Sequence, residues 1–151
     1  MPNYNNSIMV ALLPVSSEWC KIDLPHVTVV YGGEVASSKP TMFNELAKLA
    51  SLVASMTTEL LMKVEKVDIF GDDERVSVLV LEKTKEILEL RRIFEKWDDS
   101  DFTVFRPHAT IGPEGSEINP VPLYLVFDRL AVVWGDQILS FRLKPYKQNS
   151  T

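Results

Sequence analysis

Hydrophobic and polar positions follow different periods along the chain, and each period predicts an element of secondary structure. Six consecutive apolar residues at 8–13 predict a buried strand, which Pro14 closes. The β-branched residues at 26–31 predict a second strand, ended by Gly32-Gly33. Apolar residues then recur at helical spacing over 37–56, where a Ser-Ser-Lys-Pro run supplies the start signal of a helix.

The rest of the chain has the same two kinds of pattern. Five further segments have the alternation or the β-branched content of strands: residues 59–70, 75–81, 107–111, 123–134 and 137–143. Short polar turns join the first two and the last two, so each of these pairs predicts a hairpin. After the first hairpin, residues 84–97 carry an apolar stripe at helical spacing, with Thr84 as the cap.

The predicted order is two strands, a helix and two strands, followed by a helix and three strands. The two halves are alike in outline, because each has one amphipathic helix and one histidine-bearing strand near a hairpin. No segment rich in glycine or serine separates the halves. We therefore expect an α+β fold in which residues 1–151 form a single domain of two similar lobes around one cleft.

Composition and charge limit the classes of function. With 151 residues, 46% of them hydrophobic, the chain is long enough for one domain with a core and is not disordered. Its formal charge of -5 argues against a broad basic face for long nucleic acids. The single cysteine, Cys20, excludes an intramolecular disulfide and a cysteine-based zinc site. Because neither a signal peptide nor a membrane span is recognisable, we expect a cytoplasmic protein without a membrane partner.

Histidine is the scarce residue, and its two occurrences lie in matching surroundings. The motifs are Pro25-His26-Val27-Thr28 and Pro107-His108-Ala109-Thr110. In each, an aliphatic residue follows the threonine and a glycine comes soon after, a repetition that chance explains poorly. Side chains i and i+2 of a strand share a face, so the histidine and the threonine of each motif point the same way.

Two imidazoles and two hydroxyls in one small volume suit the cleavage of a phosphodiester. One neutral imidazole takes the proton from the attacking oxygen, while the other, protonated, gives a proton to the leaving oxygen. An ordinary imidazole pKa of about 6.5 lets both forms exist at working pH. The threonine hydroxyls can donate to the non-bridging phosphate oxygens, where charge builds in the transition state. Such a site needs neither a metal nor another cofactor.

The paired His-x-Thr motifs, one in each half of a small α+β chain, resemble the two-histidine (2H) phosphoesterase superfamily. That group includes bacterial 2′-5′ RNA ligase-like proteins, cyclic nucleotide phosphodiesterases and phage enzymes that degrade cyclic oligonucleotide signals. The resemblance implies a bilobal fold of two ferredoxin-like lobes, whose antiparallel sheets face a central cleft. It also implies a catalytic set without a metal, namely His26, Thr28, His108 and Thr110. The substrate stays open among 2′,3′-cyclic phosphates, 2′-5′ linkages and 3′-5′ cyclic oligonucleotides, as does a phage anti-defence role in the host cytoplasm.

Three further side chains are candidates for substrate binding. Arg106 lies two residues before His108, so strand parity puts it on the same face, where its guanidinium can hold a phosphate. The alternative is a solvated arginine at the start of a strand. Trp19, in the loop before the first motif, can stack on a base, and the alternative is a surface or lobe-packing role. Trp134, at the end of an apolar strand, is equally suited to the site and to a structural role.

Two acidic runs and one aromatic residue have structural interpretations. The runs at 71–74 and 98–101 lack the pattern of a calcium loop, so we interpret them as solvated turns. Phe70, next to the first run, can line the mouth of the cleft or lie in the core, and the core is the favoured interpretation.

The sequence therefore favours a metal-independent phosphodiesterase that acts on a small nucleotide or a cyclic oligonucleotide. The acidic chain offers no basic track for long RNA. Two alternatives stay open. One is a nucleotide-binding sponge that keeps its ligand without turnover. The other is an RNA-end processing or 2′-5′ RNA ligase-like protein that acts on short RNA ends.

Overall fold

The structure of the protein, a computed structural model, describes residues 7–16, 19–20, 22, 24–32, 39–99 and 104–145. Its elements are, in chain order, β1 (Ile8–Pro14), β2 (Val27–Tyr31), α1 (Lys39–Met56), β3 (Leu60–Phe70), β4 (Val76–Leu81), α2 (Lys85–Phe94), a 3-10 turn (Glu95–Trp97), β5 (His108–Pro113), β6 (Tyr124–Trp134) and β7 (Gln137–Arg142). These are the predicted elements in the predicted order, with small differences at their ends. The serines expected to cap α1 lie outside the described residues. Neither helix in the described ranges combines the length and the hydropathy that a membrane span requires.

The helix α2 shows why these residues form this element. The Thr84 side chain accepts a hydrogen bond from the backbone N–H of Ile87, which caps the first turn as predicted. Ile87, Leu90 and Phe94 recur every three or four residues, so they lie on one face of the helix and are buried there. The chain then tightens into the 3-10 turn that ends at Trp97.

Antiparallel pairing joins all seven strands in the order β1-β2-β5-β4-β3-β6-β7. The long strand β6 pairs with β3 over residues 124–127 and with β1 over residues 127–134. Strands β1 to β6 therefore form a closed ring, and β7 is attached to β6. The predicted α+β class with antiparallel pairing is confirmed. The division into two ferredoxin-like lobes is not confirmed, because the pairing runs through all seven strands without a break.

The two faces of the sheet carry different clusters. Both helices pack on the face that we call the helix face, where strand positions of one parity complete the main core. Its members include Val27, Leu46, Leu79, Leu90, Ala109, Phe127 and Leu130. On the opposite face, a smaller apolar cluster consists of Leu13, Ala131 and Val133, with Met9 and Leu24 packed against it. Successive strand side chains point to opposite faces, so β1 and β6 contribute residues to both clusters.

Replacement of the cap tests this account of α2. Thr84→Ala removes the oxygen that accepts the Ile87 N–H, so the free energy of unfolding should fall by about 1 kcal/mol in urea denaturation. Thr84→Ser keeps the hydroxyl and should unfold at nearly the parent urea concentration. Equal losses in both variants would show that the methyl group, rather than the hydrogen bond, carries the effect.

Candidate active site

The two histidine motifs lie on neighbouring strands of the sheet. Strands β2 and β5 pair antiparallel, with Val27 opposite Ala109, and both of these side chains are fully buried in the main core. One step forward along one strand is one step back along the other. Each histidine therefore lies opposite the threonine of the other motif: His26 opposite Thr110, and His108 opposite Thr28. All four point away from the helix face, to the face that we call the motif face.

The pairing brings the two imidazoles and the two hydroxyls into one small area, because opposed residues have Cβ atoms about 4.5–5.5 Å apart. It also relates the motifs by a local pseudo-twofold axis between Val27 and Ala109. The arrangement differs from the expected one in a single respect. The motif strands are direct neighbours in one sheet rather than parts of two sheets that face each other across a cleft.

A β-bulge follows the threonine of each motif. In β2, the register with β1 skips Val29, which directly follows Thr28. In β5, the register with β4 skips Ile111, which directly follows Thr110. Both extra residues are buried in the main core. The aliphatic residue that follows each threonine in the sequence is thus the bulge residue, and the bulge twists each strand directly after its motif.

A backbone carbonyl two residues upstream fixes each histidine ring. His26 Nδ1 lies 2.8 Å from the Leu24 carbonyl oxygen, and His108 Nδ1 lies 2.7 Å from the Arg106 carbonyl oxygen. A carbonyl oxygen accepts hydrogen bonds and has no proton to donate, so Nδ1 must carry the hydrogen in both rings. Nε2 is then the nitrogen that is able to exchange a proton. Neutral Nε2 is a base, and protonated Nε2 is an acid.

Both imidazoles are half-buried, and burial lowers the pKa of each below its ordinary value. The backbone hydrogen bonds oppose this by raising the two pKa values. Neighbouring positive charge lowers them further, from His108 in the case of His26 and from Arg106 in the case of His108. The free site therefore favours neutral imidazoles. An anionic phosphate between them would favour protonation and supply the acid form.

The hydroxyl of Thr28 has a weak partner. Its Oγ1 donates to the Met9 sulfur at 3.7 Å, and a thioether is a poor acceptor. The hydroxyl therefore loses little when it turns to a phosphate oxygen.

Arg106 lies beside His108 on the motif face. Its guanidinium carbon is 4.4 Å from the centroid of the Phe70 ring, and one guanidinium nitrogen is 3.4 Å from the Asp68 carboxylate. The Phe70 ring in turn meets the His108 imidazole edge to face, with centroids 4.7 Å apart. The guanidinium is half-exposed, so it remains accessible to a bound phosphate.

Two sequence interpretations are wrong. Phe70 does not take the favoured core position, since its ring packs edge to face against His108, which agrees with the alternative beside the site. The second acidic run is not simply a solvated turn, because the largely buried carboxylate of Asp98 is 2.9 Å from the Arg91 guanidinium; residues 100–101 lie outside the described residues. Strand alternation alone places Asp68 and Phe70 on one face of β3, but no sequence signal says that this face adjoins His108.

The structure does not bring the two tryptophans to the motif face. Trp19 packs against the main core, donates its indole N–H to the Ser16 carbonyl and lines a groove with Cys20 and residues 111–113. Trp134 also packs against the main core, 5.6 Å from the ring of Phe43 in α1. Both side chains thus pack against the core, and base stacking by either one stays a prediction. Within the described ranges, no three His, Cys, Asp or Glu side chains lie close enough together to hold a metal ion.

No family model matches the sequence, and no curated protein matches it. Several solved structures match nearly the whole chain. The protein TT0787 of Thermus thermophilus is 14% identical over 93% of this chain and 100% of its own, with a TM-score of 0.60. Kluyveromyces marxianus Usb1 is 11% identical over 94% of this chain and 100% of its own, with a TM-score of 0.62. E. coli LigT with 3′-AMP is 16% identical over 92% of this chain and 95% of its own, with a TM-score of 0.52.

The chain has the fold of the two-histidine phosphoesterases. This confirms the resemblance drawn from the paired motifs at the level of the fold. At identities of 11% to 16% the likeness establishes the fold, so the activity must be argued from the residues of the site.

Removal of the charge beside His108 tests the electrostatics of the site. Arg106→Gln deletes a cation that lowers the pKa of His108, so the pKa of His108 should rise, as followed by an NMR titration of the imidazole signals. Arg75→Gln removes an exposed arginine that pairs with Glu114 and serves as the control. An unchanged or lower pKa of His108 in Arg106→Gln would contradict this account.

Proposed function

We propose that the protein is a phosphodiesterase that works without a metal ion, with the two motif histidines as its acid–base pair. One observation carries the proposal. The register of β2 and β5 sets each histidine opposite the threonine of the other motif, and both rings are held with Nδ1 on a carbonyl. The two rings are therefore held by the same kind of contact, and their Nε2 atoms can act on one phosphate from two sides.

The reaction exchanges one P–O bond for another. A neutral imidazole takes a proton from the attacking hydroxyl or water through Nε2, and the oxygen forms a bond to phosphorus. The other imidazole, protonated, gives its Nε2 proton to the leaving oxygen as the second P–O bond breaks. The first ring ends protonated and the second neutral, and exchange with solvent resets both. Hydroxyls of Thr28 and Thr110 donate to the non-bridging oxygens, where negative charge increases.

Arg106 adds a positive charge at the His108 end of the site. Because its contacts to Asp68 and Phe70 leave the guanidinium half-exposed, it can turn part of its fork to a phosphate oxygen. We therefore assign Arg106 to substrate binding and leave the two tryptophans out of the site.

The substrate that fits best is a small nucleotide with a 2′,3′-cyclic, a 2′-5′ or a cyclic oligonucleotide phosphodiester. The chain has a net charge of -5, which disfavours a long polyanion. Structures of E. coli LigT were obtained with 3′-AMP, ATP and NADP+, all of them small nucleotides. Cyclic oligonucleotides that act as defence signals against phage belong to this class by their bond chemistry.

Hydrolysis of a substrate panel in EDTA tests the proposal. The panel contains 2′,3′-cyclic mononucleotides, 2′-5′ dinucleotides and 3′-5′ cyclic di- and trinucleotides. We expect turnover of at least one member, and His26→Ala and His108→Ala should each lower kcat by about 10²-fold or more, because each removes one proton-transfer group. Thr84→Ser, at the cap of α2, is the control and should keep the parent kcat.

Two results would overturn the proposal. Tight stoichiometric binding without turnover, which persists after loss of either histidine, would make the protein a nucleotide sponge. Affinity for RNA ends that falls steeply with salt, without hydrolysis of the panel, would make it an RNA-end binding protein.

The threonines give a second, independent test. Thr110→Val keeps the shape of the side chain and deletes the hydroxyl, so kcat should fall by about 10²-fold through loss of transition-state stabilisation. Thr110→Ser keeps a hydroxyl and should retain most of the activity. Equal kcat values for the valine and serine variants would exclude the hydroxyl from the reaction.

A further inference from the structure

From the helix face, Arg91 of α2 contacts β2 and the segment that precedes β5. One guanidinium nitrogen, Nη1, donates to the carbonyl oxygen of Val29 at 2.7 Å, and the other, Nη2, donates to the Asp98 carboxylate at 2.9 Å. The guanidinium carbon lies 4.4 Å from the centroid of the Phe105 ring. These contacts connect one side chain to β2 and to the segment that leads into β5.

The Val29 contact falls on the bulge that follows the first motif. Val29 has no partner in the register of β1, and β2 pairs with β5 at Val27. A bulge leaves its extra residue out of the ladder, and a buried carbonyl needs a donor. Arg91 supplies that donor at the residue directly after Thr28, so its hydrogen bond fixes the backbone of β2 at the bulge.

The Asp98 contact holds the far end of the same strand. One carboxylate oxygen of Asp98 accepts the Tyr31 N–H at 3.1 Å, and the Asp99 N–H donates to the Tyr31 carbonyl at 2.7 Å. The side chains of Arg91 and Asp98 are only 20% and 13% exposed. Burying an ion pair costs desolvation that an apolar pair would avoid, so this pair is weak evidence for stability, and fixed geometry is the role to test.

The Phe105 contact connects Arg91 to the second motif as well. Phe105 precedes Arg106, whose carbonyl oxygen holds the Nδ1 of His108. The planar guanidinium of Arg91 packs on the ring of Phe105, which comes three residues before His108 in the chain. The planar guanidinium of Arg91 therefore holds the bulge after the first motif at a fixed distance from the segment that leads into the second motif.

We propose that Arg91 is a positioning residue that sets the spacing of the two motif histidines. The inference rests on the proposed function, because a set spacing matters when both rings must reach one phosphate. Arg91 contacts β2 from the helix face and does not touch the motif side chains through any of these bonds. Its loss should therefore lower kcat and leave KM nearly unchanged, since displacements of about 1 Å in a reacting pair can cost 10²-fold.

The test compares Arg91→Lys with Arg92→Lys. Lysine keeps the charge at residue 91 but cannot bond Val29 and Asp98 with a planar fork while covering Phe105. Arg92 is the next residue of the same helix and is exposed, so Arg92→Lys is the matched control. We expect kcat on the best panel substrate to fall about tenfold or more in Arg91→Lys, with KM within about twofold, and to stay unchanged in Arg92→Lys.

The chain contains two histidines, so imidazole NMR gives a readout that needs no substrate. Arg91→Lys should move the imidazole signals of both His26 and His108 under conditions where the protein is fully folded, and Arg92→Lys should move neither. A role in stability alone would lower the urea midpoint but leave kcat and these signals in place. That result would overturn the proposal, as would a raised KM at parent kcat.

A second variant covers the case in which Arg91→Lys does not fold. Asp98→Asn keeps an acceptor for the Tyr31 N–H and weakens the hold on Nη2, so it should shift the same signals and kcat in the same direction by a smaller amount. If the parent protein turns over no panel member, the proposed function fails, and the imidazole signals alone decide the role of Arg91. Unmoved signals in a folded variant overturn it, and moved signals support it.

Discussion

The antiparallel pairing of Val27 with Ala109 holds the two halves of the site together. These buried residues lie in the main core, so the side chains on either side of them must project to the motif face. A register slip of one residue would send both histidines into the core and both small apolar residues to the surface. The apolar residue at the middle of each His-x-Thr motif is therefore as much a part of the site as its polar neighbours.

The rest of the fold keeps this pairing rigid. Neither motif strand is an edge of the sheet, because β1 lies on the outer side of β2 and β4 lies on the outer side of β5. The ring closes through the long strand β6, which pairs with both β1 and β3. Catalytic side chains on central strands are held more accurately than side chains on loops. The geometry thus suits chemistry in which two fixed groups act on one phosphate.

Much of the fold could be predicted from local pattern. Alternation and helical spacing predict the element order, and Thr84, a good helix cap, predicts where α2 begins. Parity within a strand predicts that each histidine shares a face with its threonine. These features depend on neighbours in the chain, and the sequence records them directly.

The features that could not be predicted depend on contacts between distant parts of the chain. The pairing of β2 with β5 joins residues 82 positions apart, and no local signal indicates which strands are neighbours. The bulges at Val29 and Ile111 are visible only once the registers with β1 and β4 are known. For the same reason, the sequence alone did not decide whether Trp134 packs in the core or contributes to the site. Alternation along the strand shows which residues share a face with Trp134. It does not show which face of the sheet the helices cover, because tertiary contacts decide that.

Whether His26 and His108 bind one ligand at the same time can be measured directly. Inorganic phosphate would be titrated into the protein while the imidazole signals of His26 and His108 are recorded by NMR. We predict that both sets of signals move with the same midpoint concentration and that phosphate raises the pKa of both rings. Movement of one ring alone, or two different midpoints, would show that the histidines do not share a phosphate and would contradict the two-histidine mechanism.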